Sequence, residues 1–228
     1  MAVALAEAGA DVISHGNSRS PKETCKQVES VGRRALGIQA DLSQPGAAEE
    51  LFAKAQQFAP VDIVVNNAGT IRRAKAVDYS DQDWTTVLQV NLNSLWKLCQ
   101  AAGRSFASRS SGGKIINIAS VLAFQGGISV PAYAASKGAV AQLTKALANE
   151  WAAQGVNVNA IAPGYMRTDN TAALQHDEVR NGQVLERIPA ARWGEPNDIC
   201  GAAVFLASAA SNYVHGHVLV VDGGWMGR

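Results

Sequence analysis

The sequence has few cysteines, no strong charge of either sign and no long apolar run, and each absence excludes a class of protein. Cys25, Cys99 and Cys200 are widely spaced, with neither a CxxC pair nor a histidine at metal-ligand spacing, so we expect reduced thiols, not disulfides or a zinc site. The formal net charge of +1 gives no electrostatic footprint for nucleic acid or an anionic membrane. No apolar run approaches the roughly 18 residues of a membrane span. We therefore expect a cytoplasmic protein without a bound metal.

Six short runs rich in valine and isoleucine are apolar on both faces, which is typical of strands buried in a parallel sheet. We predict strands at 11–14, 35–40, 61–65, 113–119, 156–162 and 217–221. We predict helices at 2–8, 21–33, 45–58, 80–108, 131–153 and 196–208. Such alternation implies βαβ crossovers and a doubly wound parallel sheet. Because no repeat or low-complexity linker interrupts the pattern, we predict a single α/β domain over residues 1–228.

Polar or tight-turn residues follow four of the predicted strands. These are Asp41, the NNAG run at 66–69, Ser120 and the Pro163-Gly164 pair. Ligands of open α/β sheets bind beyond the carboxyl ends of the strands, so we predict the functional site at this edge. The segment 163–195 is the longest without a predicted strand, and such a segment in a compact domain is more often a lid than a slack loop.

Tyr133 and Lys137 stand four residues apart in a predicted helix that otherwise contains mostly alanine, serine and glycine. This spacing places both side chains on one helix face. A nearby ammonium favours the phenolate and lowers the pKa of a tyrosine, which makes it a usable acid–base. The pair alone is weak evidence, because a half-buried core tyrosine beside a solvated lysine is the more common origin of this spacing. Asn91 lies in the middle of another predicted helix. Asparagine has a low helix propensity, and the local sequence offers no reason for it at this position.

Taken in order, NNAG, Asn91, Ser120, Tyr133-x-x-x-Lys137 and Pro163-Gly164 resemble the short-chain dehydrogenase/reductase family over essentially the whole chain. The resemblance implies a Rossmann-like fold. It also implies that Tyr133 is the general acid–base and that Lys137 lowers its pKa and binds the nicotinamide ribose. By the same resemblance Ser120 stabilises charge on the substrate oxygen, and Asn91 holds a water that connects Lys137 to solvent.

The resemblance further implies that NAD or NADP is the cofactor. The residues expected to bind it are Asp41 and Leu42 at the adenine, Tyr133 and Lys137 at the ribose, and Asn67, Ala68, Gly69, Pro163, Gly164, Met166 and Thr168 along the remainder. An acidic residue normally binds the ribose 2′-hydroxyl and repels a 2′-phosphate. Here Gly16 stands in its place with Arg19 nearby, which favours acceptance of NADP.

Segments 118–127, 159–174, 187–196 and 221–228 resemble the branch of this family that acts on small sugar acids such as 2-deoxy-D-gluconate or 2-keto-3-deoxygluconate. Ser120, Gln125 and Tyr133 are then the expected substrate-binding residues. Arg72, Arg73 and Arg192 are candidates for the substrate carboxylate, with ordinary surface arginines as the equal alternative. We expect Trp193 and Trp225 to serve packing or subunit contacts. Family members are usually homotetramers, which places the interface on the helices at 80–108 and 131–153.

The family's opening strand and its TGxxxGxG turn have no counterpart in residues 1–30, where Gly9 and Gly16 are too far apart. That turn holds the cofactor pyrophosphate at a helix N-terminus, and the strand lies centrally in the sheet. We therefore expect the working protein to have roughly 20–30 further N-terminal residues. The alternative function is a non-catalytic or weakly cofactor-binding member of the same fold. The intact set of Asn91, Ser120, Tyr133 and Lys137 favours catalysis.

Overall fold

The computed structural model describes residues 1–228 and alternates strands with helices along the chain. The strands are β1 (Val12–Gly16), β2 (Ala35–Gln39), β3 (Ile63–Asn66), β4 (Gly113–Ile118), β5 (Val156–Pro163) and β6 (Val218–Val221). The helices are α1 (Ala2–Glu7), α2 (Lys22–Ser30), α3 (Ala47–Phe58), α4 (Asp81–Leu88), α5 (Ser94–Ala107), α6 (Pro131–Trp151), α7 (Ala172–His176), α8 (Glu178–Leu185) and α9 (Cys200–Ala207). All six predicted strands are therefore confirmed. None of the helices is both long and apolar enough to cross a membrane.

The strands form two parallel sheets. β1 pairs with β2 alone, and the second sheet has the order β3-β4-β5-β6. β1 and β3 each have one edge without a partner strand, because no residue of the chain forms a strand between them. The gap lies where the expected further strand would stand, between β1 and β3. The expected further strand and glycine-rich turn stay a prediction.

The core lies on both faces of the four-stranded sheet. On one face, Ile115 of β4 and Val158 of β5 are fully buried with Cys99 and Phe106 of α5 and Val140 of α6. The other face packs Ile116, Ile118 and Ile161 against Ala203 and Leu206 of α9. Each fully buried aliphatic side chain contributes about 1.5–3 kcal/mol. Helices on both faces are the doubly wound arrangement expected from the sequence, and they fix the strand ends that carry the site.

The helix predicted at 80–108 is not α-helical throughout. It begins as predicted, with the Ser80 hydroxyl accepting a hydrogen bond of 3.1 Å from the Asp83 backbone N–H. A π-helical turn, Gln89–Asn93, then separates α4 from α5. The extra residue in such a turn widens the helix locally, and π-turns are frequent at functional sites. Asn91 lies in this turn, which gives its position a structural reason that the sequence alone did not reveal.

The segment 163–195 leaves the sheet at the end of β5, and its two ends lie side by side. It contains the short turn Asp169–Thr171, then α7 and α8. At its base, Gly194 donates a hydrogen bond of 2.9 Å to the Tyr165 carbonyl, and Arg167 donates one of 2.8 Å to the Gly194 carbonyl. We call residues 167–193 the lid. It is a closed excursion beyond the carboxyl end of β5, and its function as a lid stays a prediction.

Candidate active site

Ser120, Tyr133 and Lys137 are brought to the carboxyl end of β4. Ser120 lies two residues beyond the strand, and its hydroxyl accepts a hydrogen bond of 3.1 Å from the Leu122 backbone N–H. Tyr133 and Lys137 lie near the start of α6. The Lys137 Nζ donates a hydrogen bond of 2.6 Å to the Ile118 carbonyl and lies 5.6 Å from the centre of the Tyr133 ring. Because Lys137 is only 4% exposed, the alternative of a solvated lysine is wrong.

Asn91 is fully buried and fixes the loop that follows β3. Its Oδ1 accepts a hydrogen bond of 2.7 Å from the Thr70 backbone N–H, and its Nδ2 donates one of 3.0 Å to the Thr70 carbonyl. The amide therefore replaces a strand partner for Thr70. A Cβ on the neighbouring Gly69 would lie 3.5 Å from the Asn91 Oδ1 and 3.8 Å from the Lys137 Nζ. Asn91, Gly69 and Lys137 thus meet at one point of the site.

Ser136 is a member of the site that sequence reasoning missed. Its hydroxyl donates a hydrogen bond of 2.8 Å to the Tyr133 carbonyl and accepts one of 3.1 Å from the Asn91 Nδ2. The side chain is fully buried. Its position between Tyr133 and Lys137 was the one available indication, and serine is too common beside alanine in helices for that to single it out. The contacts connect the π-turn directly to the helix that carries Tyr133.

Burial dominates the electrostatics of Tyr133 and Lys137. Burial raises the pKa of Tyr133, while the Ser120 hydroxyl and the charge of Arg73 act to lower it. Burial also lowers the pKa of Lys137 to about 8. The expected lowering of the Tyr133 pKa by Lys137 stays a prediction. The ammonium is bound to the Ile118 carbonyl and is itself destabilised by burial, so desolvation dominates at the phenol.

A buried polar network lies beneath the site. The Asn66 Nδ2 donates a hydrogen bond of 2.9 Å to the Asn117 Oδ1, and the Asn117 Nδ2 donates one of 3.0 Å to the Thr144 hydroxyl. Cys99 lies beside both asparagines, and burial raises the pKa of its thiol to about 12. The network joins β3, β4 and α6. It therefore holds rigidly the strand that leads to Gly69, the strand that leads to Ser120 and the helix that carries Tyr133.

The residues predicted to hold the adenine half of a cofactor lie after β2. Asp41 is exposed, and its carboxylate accepts a hydrogen bond of 3.0 Å from the Ser43 backbone N–H. That hydrogen bond lowers the pKa of Asp41, so the group is ionised at neutral pH. Leu42 is only 3% exposed and packs with Ile38 and Leu51 in the core. Only the main chain of Leu42 is available to a ligand.

The remaining predicted cofactor residues lie at the ends of β3 and β5. Asn67 and Gly69 are exposed, and Ala68 is half-buried against the core. Pro163 ends β5, and Thr168 is exposed at the start of the lid. Their contact with a cofactor stays a prediction.

Two of the residues after β5 have structural tasks. A Cβ on Gly164 would lie 2.7 Å from the Asp222 Cα, so glycine is needed there to pack the C-terminal turn. Met166 is 8% exposed and forms a β-bridge with Gly194 at the base of the lid. The family pattern at these two positions is therefore explained in part by packing, independently of any ligand.

The structure separates the three arginines proposed for a carboxylate. Arg192 forms two hydrogen bonds of 2.6 and 2.9 Å to Asp198, which disfavours this candidate because its guanidinium already has a carboxylate partner. Arg72 lies 3.4 Å from Asp83. Arg73 has no carboxylate partner: its Nη2 donates a hydrogen bond of 3.1 Å to the Asn170 carbonyl, and its charge acts on Tyr133. Gln125 is half-buried in the loop between Ser120 and Tyr133.

Trp193 and Trp225 are packing residues, as expected. They are 1% and 4% exposed, and their rings lie 5.6 and 4.4 Å from the ring of Tyr165. The Trp193 Nε1 donates a hydrogen bond of 2.7 Å to the Asn181 Oδ1 of α8. The two tryptophans thus join the lid, the loop after β5 and the C-terminal turn.

Comparisons with known proteins agree with this geometry. The family model described as enoyl-(acyl carrier protein) reductase matches residues 1–226. The 2-dehydro-3-deoxy-D-gluconate 5-dehydrogenase of Bacillus subtilis (strain 168) is 56% identical over 228 residues, which are 100% of this chain and 89% of the relative.

Two solved structures are similar over the whole chain. A 2-deoxy-D-gluconate 3-dehydrogenase assigned in Agrobacterium tumefaciens, solved with NADP, has a TM-score of 0.93 at 53% identity and covers 100% of this chain and 90% of its own. A gluconate 5-dehydrogenase from Burkholderia cenocepacia J2315, in complex with NADP and tartrate, has a TM-score of 0.91 at 37% identity and covers 100% and 89%. On these matches, the chain belongs to the short-chain dehydrogenase/reductase family of NAD(P)-dependent oxidoreductases.

Proposed function

We propose that the protein transfers a hydride between NAD(P) and a secondary alcohol or ketone of a small sugar acid, such as 2-dehydro-3-deoxy-D-gluconate or 2-deoxy-D-gluconate. The observation that carries the proposal is the convergence of Ser120, Tyr133, Lys137 and Asn91 at one strand end. The names of the relatives that are more than half identical support the substrate class. The intact site and its buried lysine argue against the non-catalytic alternative.

The residues fit the nicotinamide half of the cofactor. The Lys137 ammonium uses one of its three N–H groups on the Ile118 carbonyl, which leaves two for ribose hydroxyls. Gly69 has no side chain to cover this face. When bound, the nicotinamide supplies or accepts the hydride. NAD and NADP both stay open as cofactors, with Gly16 and Arg19 favouring acceptance of NADP.

Tyr133 exchanges the proton of the reacting hydroxyl. Its raised pKa keeps the phenol protonated at neutral pH, which suits proton donation to the alcohol oxygen formed in reduction. In oxidation the phenolate must form first, so this direction is favoured at higher pH. The Ser120 hydroxyl lies at the strand end beside Tyr133 and donates to the substrate oxygen, where charge develops. Asn91 fixes Thr70 and Ser136 beside Lys137 and, as the resemblance implies, supports proton exchange with solvent.

Arg73 is the best candidate for the substrate carboxylate. It alone of the three arginines lacks an acidic partner, and its charge reaches Tyr133. A guanidinium can bind a carboxylate through two parallel hydrogen bonds. We assign a sugar hydroxyl to Gln125, on the loop between Ser120 and Tyr133. We also propose a homotetramer in the cytoplasm, with α4, α5 and α6 at the interface.

The test is turnover of Tyr133→Phe with NADH and NADPH against a panel of keto-sugar acids. The substitution removes the transferable proton without removing core volume, so we expect a loss of about 10²–10⁴-fold with an unchanged circular dichroism spectrum. Tyr213→Phe, at a fully exposed tyrosine, is the matched control and should leave turnover unchanged. A Tyr133→Phe enzyme that retains more than about a hundredth of wild-type turnover would contradict the proposed role.

A further inference from the structure

Two arginines from different strand ends hold the same turn of the lid. Arg19, in the loop after β1, forms an ion pair of 3.0 Å between its Nη1 and the Asp169 Oδ2. Arg73, in the loop after β3, donates a hydrogen bond of 3.1 Å to the carbonyl of the next residue, Asn170. The turn Asp169–Thr171 is therefore tied to both of these loops.

The loop after β1 presents Arg19 and excludes an acidic residue. A Cβ on Gly16 would overlap the Arg19 carbonyl oxygen, so this tight turn accepts only glycine at position 16. The carboxylate that would bind a ribose 2′-hydroxyl and repel a 2′-phosphate cannot stand there without opening the loop. The Arg19 side chain is 89% exposed to solvent, and its one acidic partner is Asp169.

We propose that Asp169 is a specificity-determining residue that competes with the 2′-phosphate of NADP for Arg19. The inference rests on the proposed function. A phosphate carries more charge than a carboxylate and offers the guanidinium the same bidentate geometry, so it displaces Asp169. The lid turn is then released at Asp169 and held by Arg73 alone. With NAD, which has no 2′-phosphate, the ion pair between Arg19 and Asp169 persists.

The competition weakens NADP binding without affecting NAD. Exposed ion pairs change an equilibrium by up to about fivefold. Removing the charge of Asp169 frees Arg19, so the dissociation constant for NADP should fall about two- to fivefold. The effect should shrink at high salt, because both groups are exposed.

The experiment is calorimetric titration of NADP and NAD into the wild type, Asp169→Asn, Arg19→Ala and the double variant. Glu178→Gln, at another exposed carboxylate of the lid, is the matched control. We expect Asp169→Asn to tighten NADP alone, Glu178→Gln to change neither affinity, and Asp169→Asn to have no effect when Arg19 is alanine.

Equal NADP affinity in wild type and Asp169→Asn overturns the inference. So does an equal gain for NAD, or a gain that persists in the Arg19→Ala background, since each indicates general repulsion and no competition. In these three cases cofactor binding itself is intact and the proposed function stands. Failure of wild type to bind either cofactor overturns the proposed function and this inference together.

Discussion

At the scale of single residues, burial of the Lys137 ammonium in the site lowers the stability of the fold. Its pKa falls from 10.5 to about 8 because the ammonium is desolvated, which corresponds to about 3 kcal/mol against the charged form. Below pH 8 the folded chain carries this cost in full. Between pH 8 and 10.5 the unfolded chain binds a proton that the folded chain does not, so the free energy of unfolding rises with pH across this window. Above 10.5 both states are neutral and the cost is gone.

We therefore expect Lys137→Met to stabilise the protein while abolishing turnover. The variant should gain about 2 kcal/mol in the free energy of unfolding at pH 7, because the desolvation cost is removed and one hydrogen bond to the Ile118 carbonyl is lost. Most of the gain should disappear by pH 10. Urea unfolding at the two pH values measures it. Lys145→Met, at an exposed position of α6, is the control and should show neither effect. A pH-independent loss of stability in Lys137→Met would contradict the assignment.

The sequence was sufficient to select Tyr133, Lys137, Ser120 and Asn91, because their ordered motifs resemble a known family although each residue alone is unspecific. It was not sufficient to find Ser136, whose role depends on a contact 45 residues away along the chain. Nor could it sort the arginines, since the pairing of Arg192 with Asp198 depends on the side-chain geometry of a loop.

At the scale of elements, the π-turn between α4 and α5 is the feature that sequence patterning missed. Apolar residues recur with a period of 3.6 residues through both helices, and a single inserted residue hardly disturbs this pattern. Asparagine is favoured there by contacts outside the helix, because the Asn91 amide forms hydrogen bonds with both the N–H and the C=O of Thr70. The strands were predicted well because a strand that is buried on both faces is apolar at successive positions. This pattern can be seen within a single short segment.

Asn91→Ala should therefore destabilise the fold as well as the site. The change leaves the N–H and C=O groups of Thr70 without partners, at about 1–3 kcal/mol each, and we expect a loss of about 2–4 kcal/mol in the free energy of unfolding. Asn93→Ala is the matched control on the same turn, because Asn93 is exposed and bonds only to Gln89. It should change stability by less than about 0.5 kcal/mol. Equal losses in the two variants would show that helix propensity, not the contact to Thr70, sets the stability.

At the scale of the whole molecule, the apolar pattern of each segment does not predict which strands pair with one another. The runs at β1 and β3 look as apolar as those at β4 and β5, yet β1 is half-buried along its length while β5 is almost wholly buried. The difference arises because β4 and β5 have partners on both sides, and β1 and β3 have one each. The division of the sheet is thus a property of which strands are neighbours, and no single segment records it.

The divided sheet predicts an uneven pattern of amide hydrogen exchange. Backbone N–H groups of a parallel strand point alternately to its two sides, so about half of those in β1 and β3 face an edge without a partner. These amides should exchange through local fluctuations, whereas those of β4 and β5 should exchange only on global unfolding. Exchange followed by NMR at two protein concentrations measures this. Slower exchange in β1 and β3 at the higher concentration would reveal pairing of open edges between copies. Protection of every β1 and β3 amide equal to that of β4 and β5, at both concentrations, would show that the edges are covered within one chain and that the two sheets act as one.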